Sequence, residues 1–583
     1  MPNNVVSPLQ ILVAIISSAL LALAIWYGIA HPRHVAAEWN GPLKSASFAP
    51  FRDGQSPLKE IFPERDQIEA DLVRLKGVFA GIRTYTSMGG MEVVPELAAK
   101  HGFVLTHSAW LGREAKGNNK EVDALIETAN RYPEAVKRVI VGNEVLLRQD
   151  LKPDELIAYI DRVRAAIKQP VSYADVWAFW LKNPQVADHV DYITIHILPY
   201  WEDEPVSVED AQQHMLTIIN RIKERFPGKP ILVGETGWPT EGRSRGPAHA
   251  NLLTAAAFVR ALPAFAQAND FDYNVVEAYD QSWKAQLEGT VGARWGMLDE
   301  ARDNKFPLTG SVVPLDNAIS RIVVSVVLGI LFAVLLVPAT QNIQRAFLIG
   351  VWSQGFAAAL VHAVYMSVRL IVSPVSFTWA EQHLLFFMAD QHWLSDATVS
   401  FWYKLLLQTL ADPMAKVWGW VLAGFSVFFS VASLLWVRAV LNNTVVGRLA
   451  TWVRNSFGLY ATGAIIFALM FSTSGRYIDI PLPQFLLPLT VALALKILNQ
   501  SVFTRCDFFN RRVLWLLSFA ALACLWGEAG AMSGGSDFIS MHPTLGERIP
   551  LIAKSILANH ELLLWCAVCL LLALPFRAAK PLE

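Results

Sequence analysis

The sequence predicts an α/β domain folded as a (β/α)8 barrel, joined to an α-helical transmembrane domain. Of the 583 residues, 53% are hydrophobic and 17% are charged, a balance too apolar for a soluble protein of that length. Residues 43–312 interleave charges with short apolar runs, whereas residues 313–583 consist mainly of long apolar stretches. We therefore predict an N-terminal transmembrane anchor and linker at 1–42, a barrel at 43–312 and a membrane domain of about seven helices at 313–583.

The first apolar stretch runs from Leu9 to Ala30 without a charged residue, which is long enough to span a bilayer. A cleaved signal peptide is the alternative. The stretch is longer than the apolar region of such peptides, and no Lys or Arg precedes it, so we expect a retained anchor.

The barrel prediction comes from strand-like runs that alternate with helical patterns. Alternating strands and helices indicate a parallel sheet, and eight repeats match the size of a closed barrel. The predicted strands are Ala46–Phe51, Val78–Thr86, Phe103–Ala109, Arg138–Gly142, Val171–Ala174, Tyr192–His196, Ile231–Gly234 and Asn274–Ala278. The predicted helices include Pro63–Leu75, Asn119–Asn130, Pro153–Lys168, Val208–Phe226 and His249–Ala266.

The fourth and seventh predicted strands each end in a carboxylate. Glu144 follows the apolar run Val136-Lys-Arg-Val-Ile-Val-Gly-Asn, and Glu235 lies within Ile231-Leu-Val-Gly-Glu-Thr-Gly-Trp-Pro, where glycines and a proline end the strand. In such a barrel the ends of the strands meet at one mouth, where active sites lie. Two carboxylates that face each other across a pocket are typical of glycoside hydrolysis.

Other predicted strand ends carry polar and aromatic side chains that would lie at the same mouth. Flat aromatic rings suit the faces of sugars, and charged groups beside them can bind hydroxyls, although packing at the top of the barrel is the alternative for each. The candidates for substrate contact are Arg83, Tyr85, Trp110, Trp177, Tyr200, Trp201, Trp238, Glu277, Trp283 and Lys284. Arg83 and Lys284 would also hold Glu235 ionised through their positive charge.

Several of these segments resemble glycoside hydrolase family 17, the β-1,3-glucanase family. The run from Val233 to Gly242 is similar to the family signature, and Val-Gly-Asn-Glu at 141–144 is similar to its acid/base motif. Further similar segments are Gly-Ile-Arg-Thr-Tyr at 81–85, Val-Glu-Ala-Tyr-Asp-Gln-Ser-Trp-Lys at 276–284 and Gly-Ala-Arg-Trp-Gly-Met-Leu at 292–298. The resemblance implies a retaining mechanism on a clan A barrel, with Glu144 as the general acid/base, Glu235 as the nucleophile and Asn143 in contact with the sugar.

Either water or a second sugar hydroxyl can attack the intermediate of such a mechanism, and the motifs are the same for both. Family members with membrane halves resemble bacterial proteins that make or remodel β-1,3- and β-1,6-linked periplasmic glucans. By that resemblance we expect transglycosylation on a β-glucan, with a membrane glucan synthase as a further partner. A membrane-anchored hydrolase is the alternative, and a non-catalytic glucan-binding scaffold or export component is an alternative of another class.

The chemistry of the barrel implies no cofactor. The mechanism requires no metal, and we expect no metal-ligand cluster there. A net charge of −1 argues against nucleic acid as a partner.

The second half of the sequence contains candidate membrane spans, which imply the lipid bilayer as a partner. They are Ile319–Pro338, Ala346–Val372, Val417–Val437, Phe457–Phe471, Pro481–Leu498, Val513–Ala531 and Leu562–Pro575. Charges interrupt the region Leu384–Leu410, which we predict to be interfacial or re-entrant. Cys566 and Cys569 form a C-x-x-C inside a Leu-rich run, which favours packing over redox chemistry.

Positive charges in the loops give a predicted orientation. They fall on alternate loops and comprise Arg345, Arg438, Arg448, Arg454, Arg505, Arg511, Arg512, Arg577 and Lys580. The positive-inside rule places these loops in the cytoplasm, which puts the barrel on the periplasmic side of a bacterial inner membrane.

Overall fold

The structure is a computed structural model and describes residues 7–315, 317–339, 342–372, 397–444, 447–498 and 508–576. The chain divides into two compact units. One comprises Arg33–Val312 and Ser536–Met541, and the other comprises Met1–Pro32, Val313–Gly535 and His542–Glu583. The barrel unit therefore begins ahead of the limit that we proposed at residue 43 and includes a short segment from far along the chain.

Eight parallel strands close into a barrel in the first unit, as the sequence predicts. They are β1 (Ala46–Ser47), β2 (Gly81–Arg83), β3 (Val104–Ala109), β4 (Val136–Asn143), β5 (Val171–Val176), β6 (Ile193–His196), β7 (Ile231–Thr236) and β8 (Asp272–Val275). Each strand pairs with the next along the chain, and β8 closes the barrel by pairing Val275 with Ala46. Because all the strands are parallel, their carboxyl ends surround one mouth.

The barrel unit also contains helices. They are Arg65–Leu75, Val94–His101, Ala115–Arg131, Pro153–Ala166, Trp177–Lys182, Ala211–Arg225, Leu252–Ala268, Ala285–Ala293 and Ser536–Met541, with 3-10 turns at Pro57–Lys59, Met91–Val93, Pro184–His189 and Ser282–Lys284. The five predicted helices are present with ends shifted by a few residues. Several of those that the sequence did not predict have only six to nine residues, too few to show a clear helical period.

The two ends of the barrel segment are fastened together. Arg33–His34 pairs as a short antiparallel strand with Ser311–Val312. The buried guanidinium of Arg260 donates hydrogen bonds to the carbonyl oxygens of Pro307 at 2.6 Å and Gly310 at 2.9 Å. These contacts close the chain around the barrel.

The second unit consists of helices. They are Pro8–Ala30, Ala318–Leu336, Ile343–Val372, Ala397–Leu441, Gly447–Ser474, Leu482–Ile497, Phe508–Ser533, Leu545–Ala558 and His560–Leu572, with 3-10 turns at Val337–Ala339, Gly475–Tyr477 and Leu574–Phe576. Within the described residues, six helices are long and apolar enough to cross a membrane, or seven if the pair that meets at a 72° bend before His560 is one span. The predicted span Pro481–Leu498 forms a shorter helix, Leu482–Ile497, of 16 residues.

Some predictions fall partly outside the described residues. Residues 384–396 of the region predicted to be interfacial or re-entrant lie outside them, as do Arg505, Arg577 and Lys580, whereas residues 397–410 begin a helix of 45 residues. Cys524, Cys566 and Cys569 are free thiols.

Candidate active site

The two glutamates singled out in the sequence meet at the mouth of the barrel. Glu144 directly follows β4, and Glu235 lies on β7. An oxygen of each carboxylate and one ring nitrogen of His196 lie within 4.8 Å of one another. The side chains of Glu144 and Glu235 are 25% and 12% exposed, so that solvent and substrate can reach them.

The backbone around Glu144 explains the glycine in its motif. Gly142 has φ 86° and Glu144 has φ 53°, both in the left-handed region. A Cβ at Gly142 would lie 2.8 Å from Cγ2 of Val145, so that both its conformation and its surroundings require glycine. A positive φ is uncommon for a glutamate, and such strain is often found at functional sites.

Gly234 makes room for the guanidinium beside the second glutamate. A Cβ there would lie 2.4 Å from Cγ2 of Thr194 and 3.2 Å from Nη1 of Arg83. The carbonyl oxygen of Gly234 accepts hydrogen bonds from Arg83 at 2.6 Å and from Asn274 at 3.1 Å. Because Gly234 has no Cβ, Arg83 can approach its carbonyl closely and fix the backbone next to Glu235.

Arg83 connects the two halves of the site. It is completely buried, and its Nη2 donates a 2.6 Å hydrogen bond to Oδ1 of Asn143, the residue before Glu144. Its Nη1 binds the carbonyl of Gly234 and lies 3.5 Å from Oε1 of Glu235. The planar guanidinium therefore holds the residues that precede both glutamates at a fixed separation.

His196, at the end of β6, lies between the carboxylates, and the sequence analysis did not select it. Its Nδ1 is 2.8 Å from Oε1 of Glu144, and its Nε2 is 3.5 Å from Oε1 of Glu235. Burial raises the pKa of Glu144, whereas the hydrogen bond and charge of His196 lower it. Together with the charges of Arg148 and Arg83 they leave the pKa of Glu144 below its usual value. Its place at a strand end, like that of both glutamates, is the signal that could have identified His196.

A second group of charges lies after β8. Lys284 Nζ binds both oxygens of the fully buried Glu277, at 2.8 and 3.0 Å. Burial raises the pKa of Glu277 to about 7 even though Lys284 opposes the shift. Burial also raises the pKa of Glu288 to about 7, with smaller upward contributions from the charges of Glu144 and Glu235. Glu288, four residues after Lys284, is thus a neighbour of the site that the sequence analysis missed.

The candidate aromatic residues divide by exposure. Trp110 is 42% exposed, and Arg148 lies over its ring at 4.3 Å. Tyr85, Trp201 and Trp283 are partly buried, and Trp177 is 3% exposed.

Two of the candidates are packing residues in this structure. Tyr200 and Trp238 are 0% and 1% exposed, with ring centroids 6.1 Å apart. Tyr200 donates a hydrogen bond to the carbonyl of Arg243, and Trp238 donates one to the carbonyl of His249. Because other side chains cover these rings, neither can stack on a sugar in this arrangement, which corrects our expectation of substrate contact.

The expectation that the barrel has no metal-ligand cluster also needs correction. Glu144, His196 and Glu235 are of the types and spacing that can hold a metal ion. However, the guanidinium of Arg83 lies 3.5 Å from both His196 Nε2 and Glu235 Oε1, and its positive charge opposes the binding of a cation there.

An eight-stranded parallel barrel with facing glutamates after β4 and on β7 defines the class of the protein as a barrel glycoside hydrolase. Residues 45–296 match the BtgE/BtgC glycoside hydrolase domain. A glucan 1,3-beta-glucosidase of Schizosaccharomyces pombe is 30% identical over 244 residues, covering 39% of this chain and 75% of the relative. The chain belongs to glycoside hydrolase family 17.

Other relatives are more distant. A probable glucan endo-1,3-beta-glucosidase of Aspergillus terreus is 27% identical over 270 residues, covering 41% of this chain and 55% of the relative. The solved β-1,3-glucanosyltransferase of Rhizomucor miehei is 22% identical, covering 45% of this chain and 95% of that one, with a TM-score of 0.40. The chain spans only 55–57% of the length of the first curated relatives that it matches.

Proposed function

We propose that this protein cleaves β-1,3-linked glucan by a retaining mechanism and transfers the cleaved chain to a sugar hydroxyl. The observation that carries the proposal is the separation of at most 4.8 Å between oxygens of Glu144 and Glu235. Retaining glycosidases hold their carboxyl groups about 5–5.5 Å apart, whereas inverting ones leave about 6.5–9.5 Å for a water molecule. The separation here leaves no such space.

Glu144 and Glu235 have different tasks in this mechanism. Glu144 gives its proton to the glycosidic oxygen as the carboxylate of Glu235 attacks the anomeric carbon, which forms the glycosyl-enzyme and releases one part of the chain. Glu144 then takes the proton from an incoming hydroxyl, whose oxygen displaces Glu235 from the anomeric carbon. Retention follows from these two displacements.

The lowered pKa of Glu144 favours its role as the base in the second step. For the first step the carboxyl needs a proton, and His196 is the group placed to share one with it, because Nδ1 lies 2.8 Å from Oε1. We propose that a proton shared between Nδ1 of His196 and Oε1 of Glu144 passes to the leaving oxygen.

The glucan 1,3-beta-glucosidases and endo-1,3-beta-glucosidases among the relatives support β-1,3-glucan as the substrate class. Of the residues predicted to touch it, Arg83, Asn143 and Glu277 are buried and make the contacts with other side chains described above. Tyr85, Trp110, Trp201, Trp283 and Lys284 stay as proposed substrate contacts, whereas Trp177 is buried at 3% exposure and donates a hydrogen bond to Glu202. The apolar helices of the second unit support attachment to a lipid bilayer, and we propose the periplasmic side of a bacterial inner membrane, with a glucan synthase as a partner.

Mass spectrometry of products from a β-1,3-linked oligosaccharide, incubated with the detergent-solubilised protein, tests the proposal. Products longer than the substrate are expected, with linkage analysis naming the new bond. If all products were shorter than the substrate, the protein would be a hydrolase. If Glu235→Gln processed glucan as well as the wild type, the catalytic assignment of Glu235 would be wrong. A wild-type protein that binds glucan but leaves it intact would favour a glucan-binding scaffold.

A further inference from the structure

The turn that carries Glu144 is held by the neighbouring strand β5. Glu144 N donates a 2.8 Å hydrogen bond to the carbonyl of Ala174, which continues the pairing of the two strands beyond the end of β4. Because Glu144 has a positive φ, the direction of its side chain depends on how firmly the following residues are fixed.

Two side chains of β5 bind the backbone of those following residues. Leu146 N donates a 2.9 Å hydrogen bond to the hydroxyl of Tyr173, and Leu147 N donates a longer one, 3.4 Å, to Oδ2 of Asp175. Tyr173 and Asp175 are two residues apart in a strand, so their side chains leave the same face of the sheet. Both therefore meet the turn from one side.

Tyr173 and Asp175 also bind each other in the interior. They are 1% and 0% exposed, and the hydroxyl of Tyr173 donates a hydrogen bond to Oδ2 of Asp175. The other carboxylate oxygen of Asp175, Oδ1, accepts a 2.8 Å hydrogen bond from Val176 N. A carboxyl in an apolar interior is costly unless it is hydrogen-bonded, and here its bonds lead directly to the turn of the catalytic glutamate.

An electrostatic interaction between Asp175 and Glu144 shows that the Tyr173–Asp175 pair lies close to the catalytic glutamate. Burial raises the pKa of Asp175 to about 7, the hydrogen bond from Tyr173 lowers it, and the charge of Glu144 raises it. Asp175 thus lies close enough to Glu144 for the two charges to interact, although its own side chain is fully buried.

We propose that Tyr173 and Asp175 are positioning residues that hold the turn after β4 so that the carboxyl of Glu144 meets the leaving oxygen of the substrate. The proposal rests on the catalytic assignment of Glu144. A displacement of about 1 Å at a reacting group can cost about 100-fold in rate. The pair therefore matters most for a step that needs the proton of Glu144.

The test compares two substrates of the full-length protein that differ in their need for an acid. Cleavage of a β-1,3-linked oligosaccharide requires protonation of the leaving oxygen, whereas 2,4-dinitrophenolate leaves without a proton. For Tyr173→Phe and Asp175→Asn we expect kcat on the oligosaccharide to fall about 10- to 100-fold, with KM little changed. The pre-steady-state burst of dinitrophenolate from the 2,4-dinitrophenyl glycoside of laminaribiose should keep the wild-type rate.

Tyr192→Phe is the matched control. Its hydroxyl is also buried and also bonds to β4, at 3.0 Å from the carbonyl oxygen of Val139, but well before Glu144. This variant should keep both activities. Equal losses on the two substrates, or no loss on either, would overturn the positioning role while leaving the catalytic assignment intact. A Glu235→Gln variant that releases dinitrophenolate at the wild-type rate would instead refute the catalytic assignment, and the positioning role with it.

Discussion

Substitution of Arg83 by lysine tests whether one guanidinium sets the spacing of the two glutamates. Nη2 binds Asn143 and Nη1 binds the carbonyl of Gly234, both at 2.6 Å. A lysine keeps the positive charge, but its single ammonium group cannot reproduce the planar fork that serves both positions. Arg83→Lys should therefore lose one of the two links.

The loss of one such link has a predictable size. A hydrogen bond that involves a charged group contributes about 1.5–3 kcal/mol. If that free energy is lost only in the transition state, kcat/KM falls about 10- to 150-fold, since each 1.4 kcal/mol is about tenfold. The carbonyl of Gly234 keeps its hydrogen bond from Asn274, so losing the link to Gly234 should cost less activity than losing the link to Asn143.

The assay is kcat/KM on a β-1,3-linked oligosaccharide, with thermal unfolding measured on the same preparations to correct for unfolded protein. Arg138→Lys is the control, because Arg138 binds Asp272 near the amino ends of the strands, away from the mouth. It should leave kcat/KM unchanged. An Arg83→Lys variant with wild-type kcat/KM would show that the glutamates keep their spacing without the guanidinium.

Three further predictions concern packing and protonation. Gly234→Ala should abolish most activity, because the new Cβ would lie 2.4 Å from Thr194. Gly117→Ala, in a helix with open space around it, should instead add up to about 1 kcal/mol of stability. Glucan cleavage and thermal unfolding of both variants check this. Burial lowers the pKa of His107 from 6.5 to about 3, so as the pH falls below 6.5 the unfolded chain takes up the proton first. The free energy of unfolding should then fall by about 1.4 kcal/mol per pH unit towards pH 3. In denaturation curves the free energy of unfolding of His107→Gln should depend less steeply on pH than that of the wild type. An equal pH dependence would exclude His107 as the cause. Phe538→Ala removes a fully buried ring in the segment Ser536–Met541 of the barrel unit and should lower the free energy of unfolding by about 3–5 kcal/mol. Glucan cleavage should therefore be lost at a lower temperature on heating. An unchanged temperature of inactivation would show that the ring is not packed.

The sequence predicts the barrel well because strand ends leave local signals. Apolar runs followed by glycine, proline or a charge identify all eight strands, although β1 contains only Ala46–Ser47 of the predicted Ala46–Phe51. The same signals placed Glu144 and Glu235 at strand ends of the barrel, where the structure has them. They do not state which way an aromatic side chain points, so Tyr200 and Trp238 were assigned to substrate although other side chains cover them.

The groups that the sequence analysis missed act across the barrel instead of along the chain. His196 lies 52 residues from Glu144, and Tyr173 lies 27 residues from Leu146. Neither pair is visible in a local pattern. Asp175 did leave a signal, since a carboxylate inside the buried strand Val-Ser-Tyr-Ala-Asp-Val is costly unless it has partners.

These contacts explain why the site does not rely on the two motifs alone. Glu144 lies in a turn whose backbone conformation is unfavourable for a glutamate, so the chain next to it cannot define the direction of the carboxyl. Arg83 fixes the residue before Glu144, and the proposed positioning pair fixes the residues after it. A substitution in either group should therefore impair proton transfer although both glutamates are still present in the chain.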